Sequence, residues 1–211
     1  MMVTQQQKSQ ILLSGKRNLT RDYGYLCYTT NFGDNIVDSI CVEDIFLDTN
    51  TKNTLGSKEL GTAIFLPLVG GLLINDKVIN TGNILIATKD NSEVENNNEQ
   101  IQANYLKISI NKTILAKGIF NFDLSSSKNQ LIPLLCSGSI HIYLGYFDAR
   151  HETVYKPKAN SKQIIGYVIQ GAFEFQNMLL QHRDGAKIFN KTEVIEFEAL
   201  SENALILIME V

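Results

Sequence analysis

All three histidines of the chain, His141, His151 and His182, lie in its C-terminal half. His151 is followed directly by Glu152, and imidazole and carboxylate groups are common ligands of iron and other divalent transition metals. Neighbouring side chains on a strand point to opposite faces, so His151 and Glu152 could share an ion only in an irregular turn. We therefore predict no catalytic residue and no bound metal. If a metal binds, its candidate ligands are His141, His151, Glu152 and His182.

The three cysteines, Cys27, Cys41 and Cys136, are widely spaced and form no CxxC pair. This spacing favours reduced, buried thiols over a zinc or redox site. Cys136 precedes His141 by five residues. In an extended chain that separation holds a thiol and an imidazole too far apart to act as nucleophile and base, unless the strand turns sharply. Nucleophilic catalysis is therefore not predicted.

Aromatic residues are frequent between positions 143 and 175. Aromatics at alternate strand positions normally pack between sheets, so most of this set is predicted to be core. Tyr143, Phe147 and Tyr155 are the residues that we expect to line a pocket for a flat ligand in the C-terminal half.

Strands must position these residues, because apolar side chains recur at every second position or in short runs bounded by Gly, Asn and Asp. No long amphipathic helix is predicted. The candidate strands fall into two sets of similar size, which suggests a duplication: 24–30, 39–47, 62–66, 71–74, 83–88 and 105–110, then 118–122, 139–147, 164–175, 178–180, 194–199 and 204–210.

The two sets define an N-terminal domain of residues 1–117 and a C-terminal domain of residues 118–211. Each half has its own hairpin signal, at 74–76 in the first and at Gln176 and Asn177 in the second. The Asn-rich segment 89–100 is polar, and we expect it to form an exposed loop.

Composition excludes several classes of partner. The net charge is −3, the sequence pI is about 5.6, and the lysines are scattered singly, which argues against direct binding of nucleic acid. The start of the chain lacks the apolar core of a secretory signal. The longest apolar run, residues 63–74, is too short to cross a bilayer and contains Pro67. We expect a cytoplasmic protein without a membrane segment.

Four segments together resemble the pirin-like bicupins, which hold two cupin barrels in one chain. YTTNFGDN (28–35) and IFLPLVGGLLIND (64–76) are similar to segments of the family's first barrel. VIQGAFEFQNMLLQHRDGA (168–186) and ALSENALILIMEV (199–211) are similar to the quercetinase-type C-terminal cupin domain. Gly145 and His151 match the start of the cupin motif GxxxxxHxH, but Thr153 stands where the second histidine belongs. The resemblance implies an all-β fold of two tandem cupin barrels, also called double-stranded β-helices or jelly rolls.

The resemblance also implies a chemistry that this chain does not match. In the family, three histidines and one glutamate hold iron or a similar metal in the first barrel, and some members cleave quercetin with dioxygen. No histidine precedes His141 here, so the first barrel cannot carry that centre. We expect a non-catalytic module without a cofactor that binds a small aromatic ligand or a protein partner. The alternative is a quercetin 2,3-dioxygenase-like oxidoreductase with iron or another divalent transition metal in a relocated C-terminal site.

Overall fold

The computed structural model describes residues 9–33, 39–55, 61–88, 92–96, 98–158, 163–189 and 194–211. Over these residues the chain forms β-strands and one short 3-10 helix, Ser14–Lys16, and no helix is long and apolar enough to span a membrane. The strands are β1 (Ser9–Leu12), β2 (Asn18–Asp22), β3 (Tyr25–Asn31), β4 (Ile40–Leu47), β5 (Thr51–Leu55), β6 (Thr62–Val69), β7 (Leu72–Ile74), β8 (Lys77–Ile79), β9 (Asn83–Thr88), β10 (Ser92–Asn96), β11 (Ala103–Ile110), β12 (Gly118–Asn121), β13 (Gln130–Ser137), β14 (Ile140–Phe147), β15 (Glu152–Tyr155), β16 (Gln163–Gln170), β17 (Phe173–Phe175), β18 (Met178–Leu180), β19 (Gly185–Phe189), β20 (Ile195–Ala199) and β21 (Ala204–Glu210).

The first compact unit, Arg17–Phe122, is the N-terminal barrel. A seven-stranded sheet, in the order β12-β9-β6-β11-β4-β3-β2, and a four-stranded sheet, β5-β10-β7-β8, form its walls. All strand pairs are antiparallel. The core between the sheets is apolar and draws on both walls, with Ile45, Leu47 and Phe65 from the large sheet and Ile74 and Val94 from the small one.

The second compact unit is the C-terminal barrel, which combines residues 123–211 with residues 9–16. Its sheets have the orders β1-β19-β16-β21-β14-β13 and β15-β20-β17-β18. The plan of the first barrel is repeated with the same register at corresponding strands. Ala103 of β11 lies opposite Leu47 of β4, and Ala204 of β21 lies opposite Phe147 of β14. The predicted all-β fold of two tandem cupin barrels is confirmed.

Both predicted hairpin turns are present. Asn75 and Asp76 join β7 to β8, and Gln176 and Asn177 join β17 to β18. All four residues have positive φ, between 45° and 64°. Two consecutive left-handed residues make the tight turn whose twist suits an antiparallel hairpin, and Asn and Asp adopt that conformation more readily than most residues.

The compact units differ from the sequence-based division at residues 117 and 118 in two places. Strand β12 pairs with β9 and so extends the N-terminal barrel, whereas β1 pairs with β19 and extends the C-terminal barrel. Ser14 N also donates a hydrogen bond of 2.7 Å to Asp184 Oδ1, which holds the segment after β1 to the C-terminal barrel. These pairings join residues far apart in the sequence, and local alternation of apolar residues does not encode them.

Two other local predictions are wrong. The segment 89–100 was expected to be an exposed loop, but it contains β10, in which Ser92, Val94 and Asn96 are buried. Asn96 Nδ2 donates to Leu47 O at 3.0 Å and to Ile101 O at 2.9 Å, so an amide side chain replaces backbone pairing in the interior. The predicted strand 164–175 is broken at Gly171, whose φ of 79° ends β16 before β17 begins.

Candidate functional site

Four phenylalanine rings pack together in the core of the C-terminal barrel. Phe147 lies with its ring centroid 6.1 Å from Phe173 and 5.5 Å from Phe197, in both cases nearly perpendicular to its neighbour. Phe175 packs on the backbone of Gly166, where a Cβ atom would lie 2.9 Å from its Cζ. Phe147 was expected to line a ligand pocket, and the structure places it fully buried within this aromatic core.

His151 and Glu152 lie on opposite faces of the small sheet. The His151 ring stacks on the Phe147 ring, with 5.7 Å between the ring centroids and an interplanar angle of 25°. Glu152 lies opposite Glu198 of β20, on the outer face of the sheet. Thr153, which occupies the position of the missing second histidine, has a buried Oγ1 without a hydrogen-bond partner among the described residues.

The other two histidines lie elsewhere. His141 is six residues before Phe147 on β14, a separation of about 20 Å along a strand. It is therefore at the opposite end of the barrel from His151, which contacts Phe147. His182 lies in the connection between β18 and β19. Within the described ranges, no three His, Cys, Asp or Glu side chains are placed to hold one metal ion.

Tyr143 and Tyr155, the other two expected pocket residues, are brought together with a buried carboxylate. Their ring centroids are 5.3 Å apart. The Tyr155 hydroxyl donates to Glu210 Oε2, and Lys158 N donates to Glu210 Oε1 at 2.8 Å. Burial raises the pKa of the Tyr155 hydroxyl, and its hydrogen bond to Glu210 raises that pKa further. Because burial also raises the pKa of Tyr143, both hydroxyls are uncharged at physiological pH.

Cys136 is closer to His141 than the sequence suggested. The chain turns sharply at Gly138, with φ of 58°, and β13 and β14 form a hairpin in which Cys136 lies opposite His141. The sharp turn that the sequence analysis named as the exception is therefore present, and it brings the two residues opposite each other. The thiol contacts the hydroxyl of Tyr143, with 3.9 Å between sulfur and oxygen. Cys136 is also exposed, which corrects the prediction that all three thiols are buried.

The outer face of the small C-terminal sheet is acidic. Glu198 lies opposite Glu152 on one side and opposite Glu174 on the other, and Glu196 lies two residues away on the same strand. The four carboxylates line a groove of about 480 Å³. Arg150 lies beside this face, with its Nη1 3.8 Å from Glu198 Oε1. Like charges directly opposite each other destabilise a sheet, so this face is costly to the fold.

The interior of the N-terminal barrel contains a group of polar residues that the sequence analysis missed. We call Tyr25, Cys27, Glu43, Tyr105 and Lys107 the inner polar cluster. They lie on the inner face of the seven-stranded sheet, because they alternate along β3, β4 and β11 with residues of the opposite face. The alternation of Tyr105, Lys107 and Ser109 in β11 predicts one solvated face, but all eight residues of β11 are buried.

An ion pair is the centre of the inner polar cluster. Lys107 Nζ lies 2.8 Å from Glu43 Oε2, and the two residues are directly opposite each other on β11 and β4. The exposed fraction of the side chain is 9% for Lys107 and 21% for Glu43. Burial raises the pKa of Tyr25, of Cys27 and of Tyr105, and the negative charge of Glu43 raises each of them further. The phenols and the thiol are therefore uncharged around a paired ammonium and carboxylate.

These residues do not fit the metal centre that the resemblance implies. Iron, copper and nickel sites in proteins draw on neutral imidazole nitrogens, and no histidine precedes His141. The carboxylate of Glu43 is engaged by Lys107, and an ammonium is not a metal ligand. The donor set of the inner polar cluster is suited to hydrogen bonding with an organic molecule.

The comparisons with known proteins agree with this fold. The chain has an all-β fold in which two barrels of antiparallel sheets repeat one plan, as in cupin proteins. Residues 125–211 match the family model of the quercetinase C-terminal cupin domain. No curated protein sequence matches the chain significantly.

Solved structures match nearly the whole chain. YhhW from Escherichia coli superposes with a TM-score of 0.81 at 12% identity over 97% of both chains. The same bacterial pirin in complex with nickel(II) superposes with a TM-score of 0.79 at 12% identity, over 97% of this chain and 99% of that one. GK1651 from Geobacillus kaustophilus superposes with a TM-score of 0.70 at 10% identity, over 95% of this chain and 94% of that one. The chain is therefore similar in fold to bacterial pirin, and its C-terminal barrel matches the quercetinase C-terminal cupin model.

Proposed function

We propose that the chain is a non-catalytic binding module whose N-terminal barrel takes a small organic molecule in place of a metal. The observation that carries this proposal is the Glu43–Lys107 ion pair inside the barrel, beside the Tyr105 hydroxyl, which has no hydrogen-bond partner among the described residues. Buried charges and hydroxyls are unfavourable unless they are fully paired, and a ligand can complete that pairing.

The chemistry of the site supports binding over oxidation. A dioxygenase of this fold needs an open metal site with several protein ligands. His141 and His151 lie at opposite ends of the C-terminal barrel, and Glu152 lies on its outer face, which speaks against a relocated centre. The nickel in the complex of bacterial pirin YhhW belongs to that protein. We therefore propose that no transition-metal cofactor serves this chain.

We also propose a cytoplasmic location, because Cys27 and Cys136 are free thiols, and free thiols are typical of a reducing compartment.

Two measurements test the function. Protein purified without a histidine tag is incubated with iron, copper, nickel or manganese, and oxygen consumption is followed with quercetin as substrate. We expect no turnover with any metal. In parallel, NMR follows the amide resonances of β11 during titration with one-ring compounds that carry neutral, anionic or cationic groups. We expect at least one compound to shift them.

A double variant identifies the site. Glu43→Leu with Lys107→Met removes the ion pair and leaves side chains of similar size. The control is Glu93→Leu with Lys52→Met, which removes an exposed ion pair of the same barrel. Shifts that persist in the control and vanish in the inner variant support the proposal. Metal-dependent turnover of quercetin, or an absence of shifts with every compound, would overturn it.

A further inference from the structure

Two hydroxyl groups inside the N-terminal barrel have no hydrogen-bond partner among the described residues. They are Tyr105 Oη and Ser109 Oγ, and both residues are buried, with 0% and 4% exposure. They occupy alternate positions of β11 on either side of Lys107, so all three side chains leave the same face at intervals of about 7 Å. A buried hydroxyl left unpaired is destabilising, so this face is incomplete without a further polar group.

The charge of the face is already balanced. Glu43 and Lys107 are the two charged members of the inner polar cluster, and they neutralise each other at 2.8 Å. A second anion would lie close to the Glu43 carboxylate, and a second cation close to the Lys107 ammonium. In a buried setting either arrangement is strongly unfavourable. A neutral ligand meets neither repulsion.

The hydrogen-bonding groups require a ligand that both accepts and donates. Lys107 has further N–H groups beyond the one directed at Glu43, and the hydroxyls of Tyr105 and Ser109 can also donate. The Glu43 carboxylate only accepts. A hydroxyl or a primary amide offers an acceptor to the ammonium and hydroxyls together with a donor to the carboxylate.

An aromatic wall adjoins the polar groups. Phe65 of β6 lies opposite Lys107 in the register of the sheet, and its ring is 6.4 Å from that of Tyr105 at an interplanar angle of 36°. On the other side of the ion pair, Thr29 of β3 lies opposite Glu43 and is partly exposed, as is Tyr25. The face therefore has a buried aromatic side and a partly exposed polar side.

From these observations we infer that the N-terminal barrel binds a small neutral molecule that has one apolar ring and one group able both to accept and to donate a hydrogen bond. This inference rests on the proposed function and adds the ligand class. The neutral group contacts the Lys107–Glu43 ion pair on the face that also presents the Tyr105 and Ser109 hydroxyls, while the ring packs against Phe65.

A matched series of probes tests the ligand class. Benzamide and benzyl alcohol are neutral and can donate and accept, benzoate is an anion, benzylamine is a cation, and toluene has no polar group. Dissociation constants are measured from the β11 amide shifts of the full chain. We expect benzamide and benzyl alcohol to bind at least tenfold more tightly than the other three. The variant with Glu43→Leu and Lys107→Met should lose this preference.

The outcomes separate the ligand class from the proposed function. If benzoate or benzylamine binds most tightly, and the inner variant abolishes that binding, the class is wrong and the function stands. If toluene binds as tightly as benzamide, the polar groups do not select the ligand and the inference fails. If no probe shifts β11, water alone pairs the two hydroxyls, and both the inference and the proposed function fail.

Discussion

Removal of Lys107 alone should destabilise the N-terminal barrel far more than removal of the whole ion pair. In Lys107→Met the carboxylate of Glu43 stays on the inner face without its counter-ion. Breaking a buried ion pair in this way costs about 3–5 kcal/mol when the remaining charge is fully buried. Because the Glu43 side chain is 21% exposed, we expect a smaller decrease in the free energy of unfolding, about 2–3 kcal/mol.

The double variant gives the opposite result. When Glu43→Leu accompanies Lys107→Met, no charge is left behind, and the new side chains adjoin the apolar core formed by residues such as Ile45 and Phe65. Apolar replacement of a buried ion pair is often neutral or stabilising, so we expect the double variant to lie within about 1 kcal/mol of the parent. The double variant should then be more stable than Lys107→Met alone by about 1–4 kcal/mol.

Hydrogen exchange of the β11 amides, supported by urea unfolding, reports these free energies for the barrel itself. The control is Lys52→Met, at an exposed ion pair with Glu93, which should change stability by about 1 kcal/mol or less. The reasoning would be refuted if Lys107→Met cost no more than this control. A double variant as unstable as the single variant would refute it equally, because the loss would then come from packing.

Three further outcomes follow from the structure. Phe175→Ala should lower the free energy of unfolding by about 3–5 kcal/mol, because it empties the space over Gly166. Leu179→Ala, at a residue that is 58% exposed, should lower it by about 1 kcal/mol or less. Urea unfolding measures both. His151→Ala should cost about 1 kcal/mol or less and leave metal content by elemental analysis unchanged. Stability should fall as pH rises above about 9, because Cys27 and Tyr105 stay protonated in the folded chain and release protons on unfolding.

Each of these outcomes has a clear contradiction. A loss below about 1 kcal/mol for Phe175→Ala would mean that the aromatic core is not tightly packed. Stoichiometric metal that disappears in His151→Ala would establish the metal site that the sequence analysis rejected. A urea midpoint that stays level or rises between pH 8 and pH 11 would contradict the raised pKa values of the inner thiol and phenol.

The sequence predicts local structure well where side-chain chemistry acts locally. Gln176 and Asn177 predict a hairpin because few residues adopt two consecutive left-handed conformations, and the turn is present. The pairing of β1 with β19 was not predictable in the same way, because an exposed strand can pair with any free sheet edge. Cys136 and His141 lie opposite each other only because the chain turns sharply at Gly138, and the sequence pattern does not predict that turn.

The inner polar cluster was missed for a different reason. A strand that alternates Tyr105, Lys107 and Ser109 with apolar residues normally has one wet face, and the sequence does not show that the barrel encloses that face. Glu43 and Lys107 are 64 positions apart in the sequence, and only the register of β4 with β11 brings them together. The lack of histidine before His141 is visible in the sequence, whereas the pairing of Glu43 with Lys107 is not.

The most direct test of the central claim is an anomalous-diffraction crystal structure of tag-free protein grown with both nickel(II) and benzamide. The account expects electron density for benzamide beside Glu43 and Lys107, with its ring against Phe65 and no anomalous peak inside the N-terminal barrel. An anomalous peak at nickel-bonding distance from the Glu43 carboxylate, with no benzamide beside Lys107, would contradict it.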